Sequence, residues 1–329
     1  MTPFAYSKPE HIDEALRLAG PETRFIAGGT NLVDLLKENV ERPRRLIDIN
    51  GLPLRDVTDT AGGGLRIGAL VGNAELAWHA QVEQRYPLLS QALLAGASPQ
   101  VRNMASAGGN LLQRTRCHYF YDSTVPCNKR EPGSGCPARA GLNRQHALFG
   151  ASEQCVAVHP SDFCVALAAL EAQVIVAGPQ GERTIAFADF HRLPGERPQQ
   201  DSVLRADELI LAIELPPRGF ASHSAYLKVR DRASFAFALV SVAAALELDA
   251  AGNIGEARLA CGGVAHKPWR RTEVERALHG QPATAASFRQ AADLLLQEAE
   301  PLTHNSFKVE LLRRAIVRAL TTAAGGTAR

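Results

Sequence analysis

No apolar run in the 329 residues reaches the roughly 18 needed to cross a bilayer; residues 163–170 and 239–246 come nearest, and each stops at a charge. No membrane span is expected. Charge of one sign is missing too: 36 Lys and Arg stand against 34 Asp and Glu, a net +2 that offers neither a basic surface for nucleic acid nor an acidic tail. The first ten residues lack a basic segment followed by an apolar one, so no secretory signal is expected on this chain itself. Cysteine is scarce; six are too few for a disulfide scaffold. What is present, 46% hydrophobic and 21% charged residues, excludes wholesale disorder and predicts two to three globular domains.

Helix and strand signals alternate along the first part. Ser7 and Glu10 read as a capping box, followed by a helical stripe at Ile12, Ala15, Leu16 and Leu18. Strands are predicted at 25–27, 45–49 and 65–70, with helices at 31–38, from Asn73 towards 80, and at 87–95. The Gly-rich stretch 58–64 reads as a turn and a subdomain boundary. Residues 113–157 lose all periodicity while Pro, Gly, Arg and Cys crowd together, the signature of a functional loop. Beyond it come a helix at 162–172, strands at 173–177 and 209–215, and a linker at 216–219. Three strands (225–229, 238–248, 254–260) then precede three helices (272–278, 284–299, 306–320), an α+β arrangement.

The placement of the cysteines is uneven. Cys117, Cys127, Cys136 and Cys155 are spaced C-x9-C-x8-C-x18-C among basic residues Arg114, Arg116, Lys129, Arg130 and Arg139, whereas Cys164 and Cys261 sit in apolar surroundings and read as core. Four thiolates can hold a 4Fe–4S cluster, whose negative charge the basic residues would offset, or a tetrahedral zinc ion. Zinc sites favour close C-x2–4-C pairs, which are absent here; two disulfides are the remaining alternative. Two short echoes stand out besides, Ala27-Gly28-Gly29-Thr30 and Ala107-Gly108-Gly109-Asn110. The first follows a strand and opens a helix, so its successive N–H groups can face a pyrophosphate, and the second can do the same from the opposite side. Two plain tight turns are the alternative, and neither is a Rossmann or P-loop fingerprint.

Taken in order, the motifs Ala27–Leu32, Ser106–Asn110, His159-Pro160-Ser161-Asp162, Tyr226–Arg230 and Ala260–Ala265 resemble the FAD-binding subunit of the xanthine dehydrogenase and aldehyde oxidoreductase family of molybdenum hydroxylases, over essentially the whole chain. The cysteine loop resembles that of the 4Fe–4S-containing FAD subunits of bacterial periplasmic aldehyde oxidoreductases. The resemblance implies a two-part FAD-binding domain of the vanillyl-alcohol-oxidase type (1–57 and 58–218, with 113–157 as a cluster insertion) and a C-terminal α+β domain with a three-stranded sheet (219–329). It implies FAD contacts from Phe25, Ile26, Ala27, Gly28, Gly29, Thr30, Asn31 and Leu32, from Ser106, Gly108, Gly109 and Asn110, and from Asp162, with Lys228 near the flavin ring. Cys117, Cys127, Cys136 and Cys155 become ligands of a 4Fe–4S cluster. The implied role is electron transfer within a heterotrimer, whose large subunit carries the molybdenum cofactor and whose small subunit carries 2Fe–2S clusters, since this sequence shows neither a molybdopterin motif nor ferredoxin C-x4-C-x2-C spacing. The missing signal predicts a cytoplasmic protein, whereas the resemblance implies possible export to the periplasm in a complex on a partner's signal. The rival readings are a free-standing flavin reductase or oxidase with a structural zinc loop, and a non-catalytic assembly subunit.

Overall fold

The computed structural model describes residues 1–326, which are organised by three sheets. Strands β1 (Ala5–Ser7), β2 (Thr23–Ile26) and β3 (Arg45–Asp48) form a parallel sheet in the order β1-β3-β2. Ser7 lies in β1 opposite Ile47, so the expected capping box does not form. Helix Ile12–Leu18 starts instead from an uncapped His11, and the Glu14 carboxylate accepts from Glu10 N–H at 3.3 Å. Parallel pairing commits the Ser7 backbone to β3, which local sequence does not announce.

The second sheet is antiparallel. It comprises β4 (Val57–Asp59), β5 (Leu65–Gly68), β6 (Gln173–Gly178), β7 (Gly181–Ala186) and β8 (Leu209–Leu215), in the order β4-β5-β8-β6-β7. The turn expected at 58–64 is partly strand, because β4 pairs back onto β5. The exposed edge strand β7 buries only Ile185 and gave no apolar pattern.

The third sheet has four strands rather than the expected three: β9 (Ser224–Val229), β10 (Val240–Leu248), β11 (Ile254–Gly262) and the two-residue β12 (Trp269–Arg270), in the order β12-β11-β10-β9. Strand β10 is apolar without alternation because both its faces are buried. Ala243 and Ala245 enter one core, shared with helices Pro87–Ala95 and Asp162–Ala169. Val240, Val242, Ala244 and Leu246 enter another, covered by helices Ala285–Leu296 and Phe307–Ala324. No described helix is long and apolar enough to cross a membrane.

Residues 113–157 contain, among the described residues, only the helical turn His118–Tyr121 and the 3-10 turn Pro137–Arg139 as regular structure. The segment is nonetheless well buried. Phe120 packs on Leu35 of helix Leu32–Lys37, and Leu148 and Phe149 belong to the core beneath β10.

Candidate functional site

A cavity of about 780 Å³ opens at the end of strand β2, lined by every residue from Phe25 to Leu32. Strand β2 delivers the chain to this turn. Gly29 takes φ +70°, a conformation that favours glycine, and helix Leu32–Lys37 leaves on the far side. Among the described residues, the backbone N–H groups of Gly29, Thr30 and Asn31 find no acceptor within the chain. Opposite them stand Ser106 and Gly109.

The second Gly-Gly segment is a short helix, Ala107–Leu111, capped by the Ser106 hydroxyl accepting from Gly109 N–H at 3.3 Å. Gly108 donates to Ala69 O at 2.8 Å and faces the sheet rather than the cavity. Asn110 is buried, its Oδ1 accepting from the Ser161 hydroxyl at 2.7 Å. The two Gly-Gly segments therefore differ: one presents spare donors, while the other uses its own internally.

The far wall of the cavity was not foreseen. Arg192, Gln199 and Asp201 line it, together with Arg114 and His191. Arg192 Nε and Gln199 Oε1 are buried without partners, which marks the wall as built for a polar ligand. The polar, Gln- and Arg-rich composition of residues 194–205 was the available signal.

Asp162 and Lys228 come together, but away from this cavity. Lys228 Nζ donates to Asp162 Oδ2 at 2.7 Å and to Ala95 O at 3.1 Å, and the Tyr226 hydroxyl donates to the other carboxylate oxygen at 2.7 Å. Both charges of the pair are buried. Asp162 also borders a smaller pocket shared with Cys117, His146, His159 and Phe237.

All four candidate cysteine ligands line one apolar pocket. Asn128, 4% exposed, ties three of their segments together. Its N–H donates to Gly135 O at 2.8 Å, its Oδ1 accepts from Gly135 N–H at 2.7 Å, and its Nδ2 donates to Gln154 O at 3.0 Å. Burial pushes the Cys117 thiol up to about 11. Cys136 and Cys155 titrate as a pair: interaction with Cys155 lowers the Cys136 thiol, and interaction with Cys136 together with burial raises Cys155. Among the described residues, the one trio of potential ligand atoms within 4.8 Å of one another is His159, Cys164 and His191. In that trio His159 Nε2 and His191 Nδ1 are buried without a partner among the described residues, while the other ring nitrogens are bonded. His159 Nδ1 accepts from Ser161 N–H at 3.3 Å, His191 Nε2 donates to Leu111 O at 2.8 Å, and Cys164 belongs to the core, as Cys261 does.

One chain of charges joins the cysteine pocket to the cavity. Lys129, its side chain 1% exposed, pairs with Asp201; Asp201 Oδ2 meets Arg114 Nε at 2.5 Å, and Arg114 Nη1 meets Glu41 at 2.5 Å. Burial alone would raise the Asp201 carboxyl, but Lys129 and Arg114 outweigh it and hold the group well below its ordinary range. Asn31 Oδ1 accepts from Arg114 N–H at 2.8 Å, so the Gly28-Gly29 turn and the cysteine loop share a hinge.

Comparison with known proteins gives two family matches: the FAD binding domain in molybdopterin dehydrogenase over residues 2–218, and the CO dehydrogenase flavoprotein C-terminal domain over residues 225–323. The aldehyde oxidoreductase FAD-binding subunit PaoB of Escherichia coli is 50% identical over 98% of this chain and 99% of its own. The glyceraldehyde dehydrogenase medium chain of Sulfolobus acidocaldarius is 28% identical over 97% of this chain and 95% of its own. A carbon monoxide dehydrogenase structure from Hydrogenophaga pseudoflava superposes with a TM-score of 0.77 at 25% identity, covering 99% of each chain.

Proposed function

The chain belongs to the FAD-binding subunits of the xanthine dehydrogenase family, and on that premise we propose that it is the electron-transfer subunit of a molybdenum-dependent aldehyde oxidoreductase, holding non-covalent FAD in the large cavity and a 4Fe–4S cluster on Cys117, Cys127, Cys136 and Cys155. The carrying observation is the chain of charges linking a cofactor-sized cavity to a four-cysteine pocket. Gly29, Thr30 and Asn31 offer N–H donors to a pyrophosphate, and Arg192 and Gln199 offer polar atoms to the rest of the dinucleotide. Neither Gly-Gly segment contains a Cys or His that could attach a flavin covalently. Bound there, FAD exchanges single electrons with iron–sulfur centres and electron pairs with an acceptor. The absence of close C-x2–4-C pairs in the sequence favours a multi-iron cluster over one zinc.

A molybdenum-cofactor large subunit and a 2Fe–2S small subunit complete the proposed heterotrimer, and the chain divides at 57/58 and 218/219, with 113–157 as the cluster insertion. Aldehyde as substrate rests on the similarity to PaoB. Analysis of the native complex, purified without oxygen, tests the reading. Acid should release one FAD per chain, and Cys127→Ser should lower iron by about four, the content of one cubane. Flavin retained in the pellet, or stoichiometric zinc without acid-labile sulfide, would refute it.

A further inference from the structure

Resting on the cluster reading above, we propose that His146 is a positioning residue for the cluster, its Nε2–H donating to the Cys117 sulfur and holding the reduction potential up. His146 is 4% exposed, and its Nε2 lies 3.1 Å from Cys117 Sγ. Its Nδ1 is buried and meets no partner among the described residues. A neutral imidazole carries one proton. Placed on Nδ1, that proton would be a buried orphan donor, which proteins rarely tolerate; placed on Nε2, it meets the sulfur. A ligating thiolate offers lone pairs and no proton, so the Nε2–H tautomer alone makes this bond. Reduction adds one electron to the cluster, with no bond made or broken, and part of the added charge falls on the sulfurs. A donor to one of them stabilises the reduced form more than the oxidised form, which raises the potential.

The backbone that carries the ring is held by the start of helix Phe307–Ala324 and the residues just before it. His146 O accepts from Lys308 Nζ at 2.8 Å and from Asn305 Nδ2 at 3.1 Å. Lys308 Nζ also donates to Gly263 O at 2.6 Å, and both Lys308 and Asn305 are 0% exposed. His146 N–H donates to Asn143 O at 3.1 Å, and Asn143 Oδ1 accepts from His304 N–H at 2.9 Å. Residues 304–308 thus fix the backbone on which the imidazole turns. Such contacts around a ligand commonly set the properties of a metal centre.

The test is a redox titration of the whole complex followed by electron paramagnetic resonance, on wild type, His146→Leu and His146→Gln. Leu should retain iron and sulfide while shifting the cluster midpoint to more negative potential. Gln, whose amide N–H can reach the sulfur, should keep most of the wild-type value. An unmoved midpoint in His146→Leu, or equal shifts in Leu and Gln, would overturn the proposal. A second measurement needs no variant. Electron spin-echo spectra of the reduced wild type, grown with isotopically labelled histidine, should show one imidazole nitrogen coupled to the cluster. Iron and sulfide present without that coupling overturns the role of His146 alone; iron and sulfide absent overturns the cluster reading itself and this inference with it.

Discussion

Gly28 is demanded first by the protein's own backbone: a Cβ there would stand 1.6 Å from Met104 O. Gly109 is less constrained, since its Cβ would meet only the Ser106 hydroxyl, at 2.9 Å. The two substitutions should therefore behave differently. Gly28→Ala should cost at least about 3 kcal/mol through overpacking against rigid backbone and yield little folded protein. Gly109→Ala should fold with a nearly unchanged melting temperature and retain less flavin, read from the ratio of flavin to protein absorbance. Gly28 and Gly29 stood out in the sequence because a doubled glycine after a strand signals a tight turn. Nothing local pointed to Met104, a tertiary neighbour far along the chain. For the same reason the individual roles of Arg192, Gln199 and Asp201 were not legible, beyond the polar composition around them: each matters through a fold that brings residues 191–192 and 199–206 to a wall of the cavity.

At the scale of elements, the cysteine loop is anchored by Asp201. Asp201→Asn should leave Lys129 buried with its partner's charge removed and cost about 3–5 kcal/mol, measured as a lowered denaturant midpoint. The pH dependence follows from the sign of the shift. The folded carboxyl titrates below its ordinary value of about 3.9, so its stabilisation is complete above that pH and is lost as pH falls below it. Acid unfolding of the wild type should thus be steeper below about pH 4 than that of Asp201→Asn. Elements with their own punctuation were read end to end. Helix Pro87–Ala95 opens on its proline, and strand β8 runs into Pro216. Helices Ala80–Arg85 and Pro99–Met104 and strand β12 are too short to show a period, and edge strand β7 buries only Ile185, so periodicity missed them.

At the scale of the whole molecule, two proposed redox sites share one chain, and the assignment makes it dependent on partners for turnover. Expressed without partners, it should show no aldehyde turnover with a dye acceptor; robust turnover by the molybdenum-free polypeptide would contradict the assignment. Family and cofactor class were legible because five short motifs keep their order along the chain. How the cysteine loop docks was not, because its anchors lie on both sides of it in sequence: Asp34 and Glu41 before, Asp201, Asp231, His304 and Lys308 after. That arrangement sets a timetable. As the chain leaves the ribosome, residues 113–157 emerge before most of their restraints exist and remain open until residues 304–308 follow. A chain stopped at residue 300 should leave the segment open to protease, while the full chain resists cleavage there. If the proposed cluster occupies this loop, iron would enter in that interval before closure, and a chain that has closed without metal should take it up slowly.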